Sequence, residues 1–306
     1  MRGLDRRAFL AAAGAVLAAQ SSASQKKVEP SAVAPLPPAR RRIKKALKYG
    51  MIEGELSVRA KFELAKRCGF DGVEMDSPSE LSIEEILAAK EATGLVIPGV
   101  VDSVHWKAPL SAADPETRAQ GRAALEQAIR DCHALDGTSV LLVPAVVNAS
   151  TSYKDAWERS RPEIHAVLPL AQELGVQIAF ENVWNHFLLS PLEAARYVDA
   201  FDSQWIGWHF DVGNVVNYGW PEHWIQVLGK RILKLDVKEY SRKKRDELGL
   251  WKGFDVEIGD GDCGWPAVMS ALDAFAYEGW ATAEVGGGGE ERLRDVAQRM
   301  GRVLAL

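Results

Sequence analysis

Short apolar runs alternate along the chain with longer segments whose apolar positions recur at helical spacing. The runs are Leu47–Met51, Gly72–Met75, Leu95–Val101, Ser139–Pro144, Gln177–Asn182, Ile206–Asp211, Ile232–Lys238 and Ala281–Val285. The segments between them are about 12 to 20 residues long, and several carry helix punctuation. Ser57 can cap a helix that Gly69 stops, and Ser82-Ile-Glu-Glu85 forms a capping box for a helix running to Thr93. Asp114-Pro115 opens a long helix whose Ala124, Leu125, Ala128, Ile129, Cys132 and Leu135 share one face. A helix over 152–174 is expected to break near Pro162. Ser190-Pro-Leu-Glu193 starts another, and Pro221–Leu228, Trp265–Phe275 and Glu290–Leu304 complete the set, with a long charged loop before Trp265. Eight strand–helix units in this order predict a parallel sheet closed into a (β/α)8 TIM barrel, a single domain over 43–306.

The first 42 residues follow another pattern. Arg6-Arg7-x-Phe9-Leu10 precedes an Ala-rich apolar run ending at Ala19, with small residues at Ser21 and Ala23. This resembles a twin-arginine export signal, with cleavage after Ala23. The run is shorter than the ~20 residues a permanent membrane anchor needs. Residues 24–42, with four prolines and Arg40-Arg41-Arg42, read as a linker. The expected location is periplasmic or extracellular, reached through the twin-arginine export machinery. A net charge of −5 gives no reason to expect a nucleic-acid partner. The three cysteines, Cys68, Cys132 and Cys263, show neither zinc spacing nor a disulfide framework.

Chemistry concentrates at the strand ends. Glu181, Asp211, Asp236 and Glu284 each stand at or near the C-terminal end of a successive run. A barrel brings those ends to one face, where barrel enzymes build their sites. Side chains alternate along a strand. His209 therefore goes inward with Asp211, Lys234 and Lys238 with Asp236, and Thr282 with Glu284. Glu74 and His105 can reach the same layer from the opposite wall. Carboxylates packed this closely raise each other's pKa unless something compensates. A divalent cation is one answer, Mn²⁺ or Mg²⁺ before Zn²⁺ for an oxygen-rich set; the lysines are the other. Trp106 and Trp184 stand near strand ends, where indole faces could pack on a sugar. Gly286–Gly289 reads as a flexible loop in preference to a phosphate cradle.

Several segments resemble the xylose isomerase-like barrel superfamily of sugar phosphate isomerases and epimerases. They are Gly69-Phe-Asp-Gly-Val-Glu74, Ser103-Val-His105, Phe180-Glu-Asn182, His209-Phe-Asp-Val-Gly-Asn214, Leu235-Asp-Val-Lys-Glu-Tyr240, Gly259-Asp-Gly-Asp262 with Trp265-Pro-Ala-Val268, and Tyr277-Glu-Gly-Trp280 with Glu284. The resemblance implies one divalent metal held by Glu181, Asp211, position 236 and Glu284. It also implies that Glu181 and Glu284 exchange a substrate proton through an enediolate. Glu74, His105, Trp106, Trp184, His209, Asn214 and Lys238 are the implied substrate contacts. Two positions depart from the family pattern: Asp236 stands where the family has His, and Asn214 where it often has His. The expected activity is metal-assisted isomerisation or epimerisation of an unphosphorylated sugar or keto-sugar. The alternatives are a sugar or inosose dehydratase on the same site and a non-catalytic carbohydrate-binding protein. A homo-oligomer is compatible with all of them.

Overall fold

The computed structural model describes residues 42–306. The proposed export signal and all of the linker except Arg42 lie outside these residues. Eight parallel strands close into a barrel in sequence order: β1 Ile43–Lys48, β2 Gly72–Ser77, β3 Gly99–Asp102, β4 Ser139–Leu142, β5 Gln177–Glu181, β6 Ile206–Asp211, β7 Ile232–Val237 and β8 Gly279–Ala283. β8 pairs with β1, so no edge strand is left. The expected TIM barrel is the observed one. Strand boundaries differ most at β1, which begins at Ile43 and ends at Lys48. That shift puts Lys48 at the mouth of the barrel instead of inside the first strand.

The helices follow their caps. In α1 (Val58–Cys68), Ser57 accepts from Ala60 N, and Gly69 ends the helix in the left-handed conformation. In α2 (Ile83–Thr93) Ser82 accepts from Glu85 N, and in α3 (Pro115–Ala134) Asp114 takes Glu116 N and Thr117 N. The expected break near Pro162 does not occur: α4 (Tyr153–Leu174) runs through Pro162 and Pro169. Ala156, Ser160, Ile164, Val167 and Ala171 form one buried stripe along it. Continuous packing of that stripe on the barrel outweighs the backbone bonds lost at the two prolines, which is how tertiary context overrides propensity.

Then come α5 (Pro191–Asp199), the one-turn α6 (Val212–Val216) and α7 (Pro221–Leu228). The charged loop after β7 is partly helical, with α8 (Arg242–Leu248) and a 3₁₀ turn at Leu250–Phe254. α9 (Trp265–Asp273) and α10 (Glu290–Val303) complete the outer ring.

One irregularity bears on the site. The β6–β7 pairing shifts register between Trp208 and His209, leaving Leu233 extra on β7. Gly207 makes room for it, since a Cβ there would meet the Leu233 side chain. The bulge sets Asp236 level with Asp211. No described helix is long and apolar enough to cross a membrane.

Candidate active site

Asn182 fixes where the acids stand. Its Nδ2 donates to Asp211 O at 2.7 Å, and its Oδ1 accepts from Asp211 N and Trp208 Nε1, each at 3.0 Å. This carboxamide ties the end of β5 to the end of β6. Asp211 then caps α6, accepting from Asn214 N at 2.8 Å through Oδ1. Its other oxygen, Oδ2, turns inward to Lys238 Nζ at 2.8 Å. Lys238 also reaches Glu284 Oε2 at 3.0 Å and Asn214 Oδ1 at 3.3 Å. Asn214 Nδ2 in turn donates to Glu181 Oε1 at 3.2 Å. The structure thus brings Glu181, Asp211, Asn214, Lys238 and Glu284 into one cluster.

A second cluster lies deeper. Lys48 Nζ contacts Glu74 Oε2 at 2.5 Å and Asp236 Oδ2 at 3.1 Å. His209 Nε2 lies 3.0 Å from Asp236 Oδ1. Below them the ammonium of Lys234 donates to Pro98 O. Glu74, His209, Lys234 and Asp236 are all buried. Glu74 is therefore a partner of Lys48, sealed from solvent. Lys48 is the site residue that the sequence pattern missed. With the first strand read as beginning at Leu47, Lys48 falls at its second position, far from the mouth.

Electrostatics separate the two clusters. Burial, then Glu284, pushes the Glu181 carboxyl well above the usual range, and Lys238 only partly opposes this. Asp211 rises to about 6, mainly by burial. Glu284 goes the other way: burial raises it, but Lys238 and Lys48 outweigh burial and bring it down to about 2. Its side chain keeps 39% of its surface open to the cavity, so water softens that shift without changing its direction. Glu181 is thus the carboxyl of the cluster driven toward protonation and Glu284 the one driven toward ionisation. Two carboxyls driven apart in this way are the usual signature of an acid–base pair.

His105 is buried, and burial holds its pKa down at about 4. Its Nδ1 accepts from Val143 N at 3.4 Å, so the neutral ring carries its proton on Nε2 and can donate from there. Trp106 packs edge-on against His105 with ring centroids 5.6 Å apart. Trp184 is held by its indole N–H, which donates to Asn214 O at 2.9 Å. Glu239, just past β7, accepts from Gly259 N, Cys263 N and Trp265 Nε1. It anchors the loop over 259–265 and takes no part in the cluster.

The donor set suits a metal ion. Glu181, Asp211, Asp236 and Glu284 each offer an oxygen within 4.8 Å of the others. Asp211 Oδ2, both Asp236 oxygens and Glu284 Oε2 have no hydrogen-bond partner of good angle. Buried anionic oxygens left in this state fit an oxygen-seeking divalent ion. Lys238 lies against two of the same oxygens, and Lys48 and His209 against the Asp236 pair, so side chains of this chain already face all four. Above the cluster opens a cavity of about 690 Å³, with Asn214, Lys238 and Glu284 in its floor and Trp106, Trp184 and Trp251 in its walls.

Comparison with known proteins bears on the family and the fold. A family described as Xylose isomerase-like TIM barrel matches residues 62–303. SgbU of Escherichia coli (strain K12), a candidate L-ribulose-5-phosphate 3-epimerase, is 26% identical over 241 residues, covering 74% of this chain and 82% of SgbU. An inosose dehydratase of Bacillus cereus (strain AH820) is 25% identical over 164 residues, covering 50% of this chain and 54% of its own. Among solved structures, D-psicose 3-epimerase of Clostridium cellulolyticum H10 superposes with a TM-score of 0.69 at 19% identity, over 86% of this chain and 99% of that one.

Proposed function

The chain belongs to the Xylose isomerase-like TIM barrel family, and on that premise we propose that it is an epimerase or isomerase of an unphosphorylated keto-sugar. The observation that carries this reading is the split pair Glu181 and Glu284: Glu284 lines an open cavity, and Glu181 lies behind Asn214, which lines it too. With a keto-sugar seated there, the Glu284 carboxylate removes the proton next to the carbonyl. Glu181 exchanges the proton on the other side of the resulting enediolate. Asn214 holds Glu181 Oε1, and the Lys238 ammonium keeps Glu284 ionised. His105 serves as a neutral donor to a substrate oxygen. A Mn²⁺ or Mg²⁺ ion held by Glu181, Asp211, Asp236 and Glu284 would supply Lewis-acid polarisation of the carbonyl. Similarity to SgbU supports epimerisation.

Similarity to the inosose dehydratase supports a second reading, in which the same enediolate expels water. Phosphate recognition is disfavoured, because the cations at the cavity are already engaged: Lys238 by Asp211 and Glu284, and Arg292 by Glu257 at 2.6 Å.

The test is proton exchange in D₂O with added Mn²⁺, over a panel of keto-hexoses and 3-keto-glycosides. The true substrate should gain deuterium at one carbon with its formula otherwise unchanged; loss of water would favour the dehydratase. Glu284→Gln should slow exchange by about 10²–10⁴-fold, the usual contribution of a positioned base. No label from any sugar with folded, Mn²⁺-supplied protein would end the reading in favour of a binding protein.

Export before catalysis is part of the proposal, motivated by Arg6-Arg7-x-Phe9-Leu10. Changing both arginines to lysine should leave uncleaved precursor in the cytoplasm; normal processing would refute it.

A further inference from the structure

The cavity is larger and more aromatic than one sugar ring requires. Its volume, about 690 Å³, lies in the ~300–1,000 Å³ range of sites that enclose drug-sized ligands. Beyond the floor at Lys238, one wall is a continuous aromatic surface. Trp184 lies 4.8 Å from Trp251 and 5.0 Å from Phe254, centroid to centroid. Lys238 Nζ is 5.6 Å from the Phe254 ring centroid, so this wall begins where the acid cluster ends.

The wall is a built feature. Tyr240 packs under Phe254 at 4.8 Å, and its hydroxyl donates to Leu250 O at 2.8 Å. Ser241 N donates to Gly253 O at 2.7 Å, pinning the 3₁₀ turn that carries Trp251 and Phe254. Yet Trp251 itself remains 69% exposed. A large indole held open on an anchored turn, beside a catalytic floor, is apolar surface waiting for a ring. Indole and phenyl faces bind the C–H faces of sugars and the faces of aryl groups alike. The free charge an anionic group would need is lacking, since Arg292 is taken by Glu257 and Asp255 also lines the cavity.

We propose that Trp184, Trp251 and Phe254 form an aglycone subsite, so that the substrate is a neutral glycoside whose second ring stacks on this wall. The inference rests on the keto-sugar reading of the acid cluster, where the reacting ring sits. It assigns the loop after β7 the task of selecting a glycoside over a free monosaccharide.

The experiment uses the full chain and calorimetric titration with paired probes: methyl and 4-nitrophenyl glycosides of glucose, galactose, mannose and xylose. At least one 4-nitrophenyl glycoside should bind tenfold or more tightly than its methyl partner. Trp251→Ala should reduce that preference to within twofold, and circular dichroism should show an intact fold. Trp220→Ala, an exposed indole outside the cavity lining, should retain the full preference. Saturation-transfer NMR should show the aglycone protons as the strongest contacts in the wild type, and their loss in Trp251→Ala. Equal affinities in every pair, no binding by any probe, or an aryl preference that survives Trp251→Ala would overturn the subsite. So would tenfold tighter binding of L-ribulose 5-phosphate than of L-ribulose, which would place a phosphate beside Arg292. Deuterium exchange on a keto-hexose without aryl preference sinks the subsite and spares the epimerase reading. Aryl preference without exchange on any sugar does the reverse.

Discussion

Two charged clusters share Asp236 at the mouth of the barrel, and they differ in one respect that matters. The inner one, Lys48 with Glu74, Asp236 and His209, lies outside the cavity lining and sets an ammonium between two buried acids. Lys48 brings Glu74 down below its ordinary range despite burial, so Glu74 is an ion-pair partner in an inner network. The outer one, Glu181, Asp211 and Glu284 around Lys238, has more carboxyls than cations and reaches the cavity through Lys238 and Glu284. There the surplus appears as raised carboxyls on Glu181 and Asp211. Burial and charge are common to both clusters, so neither marks function alone. An unbalanced set beside open space does.

The comparison breaks first on activity. Glu181→Gln should lower turnover by about 10²–10⁴-fold, as expected for loss of a positioned proton donor. Glu74→Gln should lower it within about tenfold at matched folded fraction, because Glu74 is bonded to Lys48, outside the cavity lining, whereas Glu181 is bonded to Asn214 in that lining. Similar losses in both variants, read as kcat at equal folded fraction, would erase the distinction.

Stability should show the opposite order. Lys48→Met leaves Glu74 and Asp236 buried without their ammonium and should cost about 3–5 kcal/mol, read from urea midpoints. Lys48→Met combined with Glu74→Gln should recover part of that loss, since one uncompensated charge is removed with the cation.

The smallest effect concerns His105. Its folded pKa is depressed to about 4 from the ordinary 6.5, so the unfolded chain takes up the proton first as pH falls. The neutral ring's contribution is therefore present above pH 6.5 and is lost on the way down to pH 4. The loss is at most about 3 kcal/mol. Asp102 and Asp211, both raised to about 6, act in the other direction, adding stability as pH falls. The difference between wild type and His105→Asn isolates the histidine: urea midpoints should converge between pH 7 and pH 4.5. A constant gap would mean the ring is not held neutral.

Much of this was legible in the chain. The strand–helix alternation, the caps at Ser57, Ser82, Asp114 and Ser190, and the four strand-end acids depend on residues a few positions apart. Local periodicity and capping chemistry encode such features directly.

What meets those acids was decided only by tertiary structure. Lys48 joins Asp236 because β1 and β7 each flank β8 in the closed barrel. The bulge at Leu233 sets the height at which Asp236 faces Asp211. The aromatic wall exists because Tyr240, in the loop just past β7, anchors a turn that reads in sequence as charged loop. Pro162 stays inside its helix because a buried stripe holds both halves to the barrel. Local sequence determined which side chains reach the mouth of the barrel. Closure, register and packing determined which of them touch, because ion pairs and cavity walls join strands and loops far apart in the chain, and no short-range pattern records that distance.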